Sequence, residues 1–266
     1  MLLLSTAVLV GACATRGGDG ELVTGDGYRH WVAASPGASA STTASAHLVL
    51  FIGGDGRAFV SRQRVARDPT SWRDPMLTLA RLEDAGHGAY LGRPCYHGLA
   101  EDVGCDPRAW TSQRYSVDKS TSMVAAKRSV WSNRPTLLVA YSGGAALAMQ
   151  MARRMPETTG LVTLAGNLDP AAWTRHHAYT PLEAAPQAPR LPGHLRQLHV
   201  LAGRDTNIPP ALTRAIPTLP ADSLCEVAAL EHAGPWTSLW QQLRPQLSAW
   251  LAGETDTRTL CALLQS

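Results

Sequence analysis

Thr136-Leu137-Leu138-Val139-Ala140-Tyr141-Ser142-Gly143-Gly144 is the stretch on which the fold turns. Thr136 to Val139 is strand-type, and the small-residue run from Ala145 to Met155 reads as a helix that follows at once. A serine between a buried strand and a helix sits on a turn too sharp for ordinary neighbours. Ala140 and Gly144, two residues to either side, are small enough to let strand and helix pass. The turn exposes the Ser142 hydroxyl beside a helix N-terminus, where unpaired backbone N–H groups stabilise negative charge.

Strands and helices alternate on both sides of this turn. Glu21 to Ala34 reads as a hairpin turning at Gly25-Asp26-Gly27, and 35–46 as a Ser/Ala/Thr-rich loop. His47 to Ile52 is an apolar run, as expected of a strand covered on both faces, and it ends at Gly53-Gly54-Asp55-Gly56. A helix over 76–85, a short strand over 89–91 and an amphipathic helix over 116–131 come next, the last with Val117, Met123, Val124 and Val130 among its apolar positions. Strands over 161–165, 198–202 and 224–230 follow Ser142. A final helix starts at Pro235, with Trp236, Trp240, Leu243 and Leu247 at helical spacing, kinked or split by Pro245. This alternation implies an α/β fold, a mostly parallel central sheet with helices on both faces.

With 266 residues and a net charge of +3, the chain suits one large α/β domain. Its arginines read as spread along the sequence with no basic stripe, so a nucleic-acid partner is not expected. Met1 to Ala12 is apolar but shorter than the ~20 residues of a membrane span, and reads as a signal-peptide core, although no Lys or Arg precedes it. Val10-Gly11-Ala12-Cys13 resembles a bacterial lipobox. Residues 1–13 then form a signal segment ending at a lipidated Cys13, 14–24 a flexible tether, and 25–266 the folded domain. The expectation is a monomer of the bacterial cell envelope, held at a membrane surface by its lipid anchor. Four further cysteines in an exported chain imply two disulfides. Three connectivities are possible, and the local pairing Cys95–Cys105 and Cys225–Cys261 is the simplest.

In an open parallel sheet ligands bind outside the carboxyl ends of the strands, and three such ends carry catalytic residue types. Ser142 follows one strand. Asp205 follows another, in Gly203-Arg204-Asp205-Thr206-Asn207-Ile208-Pro209, and His232 lies beyond the last, in Glu231-His232-Ala233-Gly234-Pro235. With this order of serine, acid and histidine, and this form of acid loop, the chain from about Ala46 to Leu251 resembles the α/β-hydrolase superfamily, in particular its bacterial envelope members. Ala140 departs from the pattern, standing where G-x-S-x-G has its first glycine. The resemblance implies a serine hydrolase, acting without a cofactor on a carboxylic ester, thioester or amide through an acyl-enzyme. A peptidase or acyltransferase using the same residues, and a catalytically silent binding protein on this fold, are the alternatives.

The chemistry needs these residue types. A serine hydroxyl attacks only as a base takes its proton. His232 fills that role and passes the proton to the leaving group, while Asp205 holds the imidazole tautomer and stabilises its cation. Gly143 N–H is one oxyanion donor by its place after the nucleophile; Asp55 N–H is expected as the second, with Gly54 N–H as the alternative. Asp205 has a plainer reading as a cap of its own loop. Asp169 is a rival acid that reads better as the cap of a helix starting at Pro170. Of the other histidines, His47 and His199 fall in strands and His97, His176, His177 and His194 in loops; H-E-x-x-H spacing and C-x-x-C are absent, so no metal is expected. Neither a dinucleotide nor a Walker glycine pattern is present, so no nucleotide cofactor is expected. Substrate contacts are sought at Tyr141 and at Arg114, which either grips a carboxylate or phosphate or makes a surface ion pair. Trp110, Trp173 and Trp236 either line a pocket or fill the core. Pro181, Pro186, Pro189 and Pro192 make 167–196 an irregular cover rather than a large lid.

Overall fold

The computed structural model describes residues 20–35, 47–71 and 73–266. The signal segment, Cys13, the tether up to residue 19 and residues 36–46 of the Ser/Ala/Thr-rich loop lie outside the described residues. In chain order the elements are β1 (Glu21–Thr24), β2 (Arg29–Ala34), β3 (Leu48–Ile52), β4 (Phe59–Ser61), β5 (Arg64–Val65), α1 (Pro75–Leu82), β6 (Gly88–Leu91), α2 (Val117–Trp131), β7 (Thr136–Tyr141), α3 (Gly144–Arg154), β8 (Thr158–Leu164), α4 (Pro170–His176), β9 (Arg196–Ala202), α5 (Pro210–Arg214), β10 (Leu224–Val227), α6 (Trp236–Leu243), α7 (Leu247–Ala252) and α8 (Thr257–Gln265). Eight strands form one sheet in the order β1-β2-β6-β3-β7-β8-β9-β10, with β4 and β5 pairing separately as a hairpin. The pairs β1–β2 and β2–β6 are antiparallel and the rest of the sheet is parallel.

The strand pattern explains the layering. Leu48, Leu50 and Ile52 of β3 and Leu138 and Ala140 of β7 point to one face, where Met123 of α2 and Leu147 and Met151 of α3 cover them. Phe51, Leu137 and Val139 point to the other, against Met76 and Leu79 of α1 and Trp236, Trp240, Trp250 and Leu260 of α6 to α8. Both faces of the parallel strands are buried, which is why they read as continuous apolar runs. Strand order reverses at β3. Later strands add on its β7 side, while β6 lies on the other, so the crevice at the carboxyl ends of β3 and β7 is the topological switch point.

Several expectations need correction. The sheet begins at Glu21, inside the expected 14–24 tether, because Glu21–Thr24 pairs with Arg29–Val32. Val117 is exposed, and α2 instead buries Lys119, Ser120, Ser122 and Lys127 among its apolar residues. The C-terminal tail is helix α8, started by the Asp256 side chain accepting from Thr259 N–H. Pro245 does split the last helix, into α6 and α7 around a short 3₁₀ turn. Disulfides join Cys95 to Cys105 and Cys225 of β10 to Cys261 of α8. Among the described residues no helix is long and apolar enough to cross a membrane.

Candidate active site

Ser142 has φ of +51°, a left-handed conformation that non-glycine residues adopt only under constraint. The constraint is the close passage of α3 over β3: a Cβ at Gly144 would stand 2.3 Å from the Gly53 carbonyl oxygen. The sequence places glycine there, and fully buried Ala140 two residues before the serine serves the same purpose. Gly143 is the N-cap of α3, where its N–H has no helical carbonyl four residues back to donate to.

His232 comes next to Ser142 from the loop after β10. Its Nε2 lies 3.1 Å from Ser142 Oγ, and its Nδ1 donates to Asp205 Oδ2 at 2.7 Å. That donation leaves Nε2 unprotonated in the neutral ring, facing the hydroxyl. Asp205 is buried and performs both roles considered for it. Oδ1 accepts from Asn207 and Ile208 N–H, each at 2.8 Å, while Oδ2 holds the imidazole. The His232 carbonyl accepts from Tyr141 OH and Trp236 Nε1, both at 3.1 Å. Tyr141 was sought as a substrate contact. Its hydroxyl is engaged on His232, though its ring still lines the cavity. The rival acid, Asp169, caps α4 by accepting from Ala172 N–H at 2.8 Å.

Across the serine, the 53–56 loop is held by side chains that sequence reasoning did not connect to it. Asp55 pairs with Arg93 (2.5 Å) and Arg114 (3.3 Å), and Tyr115 OH also donates to it. Arg93 Nη2 donates to the Arg114 carbonyl, and Tyr96 OH to the Asp55 carbonyl. Burial pushes the Asp55 carboxyl up, but the two guanidinium charges and the hydrogen bonds outweigh it and hold it below the usual carboxylate range. A Cβ on Gly143 would collide with this carboxylate, so the clamp lies directly under the start of α3. Arg114 is not a surface ion-pair residue: it is buried, shares Asp55 with Arg93, and also lines the cavity. Gly54 lies against Ser142, and both Gly54 and Asp55 line the cavity.

The cavity over Ser142 and His232 has a volume of about 1320 Å³. Trp173 forms part of its wall, whereas Trp110 and Trp236 are core residues. The 167–196 segment contributes α4 and an irregular stretch over the opening, with no helix long enough for a lid domain. Asn207 is a further lining residue the sequence did not single out. Its Nδ2 lies 3.2 Å from His232 Nε2, and its carbonyl accepts from Trp173 Nε1 and His177 Nε2. Arg57, Arg62 and Arg73 also line the cavity. The signal was in the sequence: five arginines fall between positions 57 and 73, so the arginines are not evenly spread.

No family model matches the sequence, and no curated protein matches it. Solved structures do match. A serine hydrolase without a lid from Xanthomonas campestris superposes with a TM-score of 0.52 at 15% identity, covering 88% of this chain and 96% of its own. A protein of unknown function from Agrobacterium tumefaciens gives 0.51 at 14%, covering 88% and 97%. An N-formylmaleamic acid deformylase from Pseudomonas putida gives 0.51 at 16%, covering 83% and 97%. The chain has the α/β-hydrolase fold. Ser142 stands at the strand–turn–helix corner between β7 and α3, at the switch point of the sheet.

Proposed function

We propose that the protein is a serine hydrolase that cleaves a carboxylic ester, or a related thioester or amide, through an acyl-enzyme on Ser142. The observation that carries this reading is the unbroken hydrogen-bond chain from Asp205 through His232 to a serine held in a left-handed conformation. In this mechanism His232 takes the Ser142 proton as the hydroxyl attacks, and returns it to the leaving group. Gly143 N–H and a second N–H from Gly54 or Asp55 stabilise the oxyanion, an interaction worth on the order of 3 kcal/mol per donor. Water then attacks the acyl-enzyme by the same route reversed. A fluorophosphonate should label Ser142 alone, as read by mass spectrometry, and Ser142→Ala should abolish both labelling and ester hydrolysis. A folded protein that takes no label would point instead to a silent binding protein.

We also propose export to an extracytoplasmic compartment, the setting in which two disulfides persist. Lipidation at Cys13 rests on the lipobox-like sequence. The intact mass of the mature N-terminal peptide from a bacterial host tests it.

A further inference from the structure

We propose that the cavity selects esters carrying a second, anionic group, a carboxylate or phosphate, gripped by Arg57, Arg62 and Arg73; this rests on the hydrolase reading above. The charge distribution is the first support. Residues 56–73 contain five arginines and one aspartate, while the other 248 residues hold 19 lysines and arginines against 20 acids. The whole positive excess of the chain is therefore concentrated in one short stretch, and three of its five arginines line the cavity that opens on Ser142.

Their lack of partners is the second support. Among the described residues, none of the three makes an ion pair. The two acidic lining residues are already engaged. Asp55 is shared by Arg93, Arg114 and Tyr115, and Asp74 accepts from Met76 N–H and Tyr90 OH. Three guanidinium groups lining one cavity favour an anion between them, and their planar forks fit a carboxylate or phosphate.

The backbone that displays them is the third. Arg57 N–H donates to the Pro69 carbonyl at 2.7 Å, Ala66 N–H to Ala58 at 2.9 Å, and Trp110 Nε1 to Ala66 at 3.2 Å. The β4–β5 hairpin, with Arg57 at its base and Arg62 at its turn, is thus stitched to the molecule, and Arg73 reaches the same cavity from the segment before α1.

Two acyl esters of equal chain length test this: mono-4-nitrophenyl glutarate, which bears a carboxylate, and the neutral 4-nitrophenyl valerate. We expect kcat/KM for the glutarate to exceed that for the valerate by about tenfold or more, a preference shrinking with added salt. Inorganic phosphate should inhibit competitively. Replacing the three arginines together (Arg57→Gln, Arg62→Gln, Arg73→Gln) should remove the preference, and lysine at the same positions should restore part of it. Arg64→Gln with Arg67→Gln removes charge from the same stretch but not from the cavity, and should leave most of the preference in place. Equilibrium binding of the glutarate ester to Ser142→Ala provides a readout independent of catalysis. If that binding needs the three arginines while the wild-type chain hydrolyses neither ester, anion selection stands and the hydrolase reading fails. If both esters are hydrolysed equally, whatever the salt or the arginine substitutions, anion selection is overturned and the hydrolase reading stands.

Discussion

The two flanks of Ser142 are built on different scales. On the His232 side, short loops after the neighbouring strands β9 and β10 carry the parts. The Asp205 carboxylate is fixed by N–H groups two and three residues further on and holds the His232 imidazole in turn, while the His232 carbonyl accepts from Tyr141 OH and Trp236 Nε1. On the 53–56 side, the backbone depends on side chains 38 to 60 residues further along the chain, arranged around the Asp55 carboxylate. A flank whose acid is held by N–H groups of its own loop can lose chemistry without losing fold. A flank built from a buried ion cluster cannot have its geometry separated from the stability of the molecule.

Paired carboxamide substitutions sharpen this difference. Asp205→Asn keeps the oxygen that accepts Asn207 and Ile208 N–H, but it presents an N–H to His232 Nδ1 and favours the wrong tautomer. We expect kcat to fall on the order of 10⁴-fold, with a loss of stability under about 2 kcal/mol in urea unfolding. Asp55→Asn leaves Arg93 and Arg114 buried without a counter-charge, so stability should fall by about 3–5 kcal/mol. Its kcat should fall by a smaller factor, on the order of 10²–10³, as oxyanion donors lose their position. Equal stability losses in the two variants would break the comparison.

The same difference of scale explains what the sequence disclosed. The elbow, the acid loop and the histidine each declare themselves within a few residues, because small neighbours, an Asp cap and a Gly-Pro helix start are local features. The clamp on Asp55 was hidden because Arg93 reaches it only through sheet order: β6 lies beside β3, so the loops after these two strands meet. Arg114 was hidden for the same reason, since its partner Asp55 belongs to another strand end. In α2 the apolar pattern misled. Lys127 is buried with its Nζ donating to the Ser132 and Arg134 carbonyls, contacts no periodicity encodes, and exposed Val117 begins the helix at its rim. Helix α8 was legible and missed. Gly253 in a left-handed conformation ends α7, Asp256 caps the next turn, and Leu260 and Leu264 are spaced to face the core.

The disulfides offer a subtler separation. Cys95–Cys105 closes a short loop that holds Tyr96, inside the β6–α2 connection that also carries Arg93, Arg114 and Tyr115, while Cys225–Cys261 joins β10 to α8, outside the clamp. Removing the first by paired serine substitution should cost about 3 kcal/mol, and the second about 4 kcal/mol because it closes a longer loop. Only the first should also lower kcat, by about tenfold, as the oxyanion loop loses its precision. Differential scanning calorimetry and ester kinetics on the two variants provide both readouts. A matching drop in kcat in the second variant would mean that stability alone, not the clamp, governs the site.

The smallest effect concerns the local flank. His232 Nε2 has one lone pair and two neighbours that can donate to it, Ser142 Oγ at 3.1 Å and Asn207 Nδ2 at 3.2 Å. In the proposed mechanism only the first of these bonds leads to proton transfer, and in the resting state the amide would compete with the serine hydroxyl. Asn207→Ala removes the competitor without disturbing the backbone carbonyl that anchors Trp173 and His177. Stopped-flow acylation should then change by no more than about threefold, the size of a modest, exchangeable hydrogen bond, and in the faster direction. A loss of a hundredfold would show that the Asn207 amide takes part in the reaction itself. The His232 imidazole would then depend on more than its hydrogen bonds to Asp205 and Ser142.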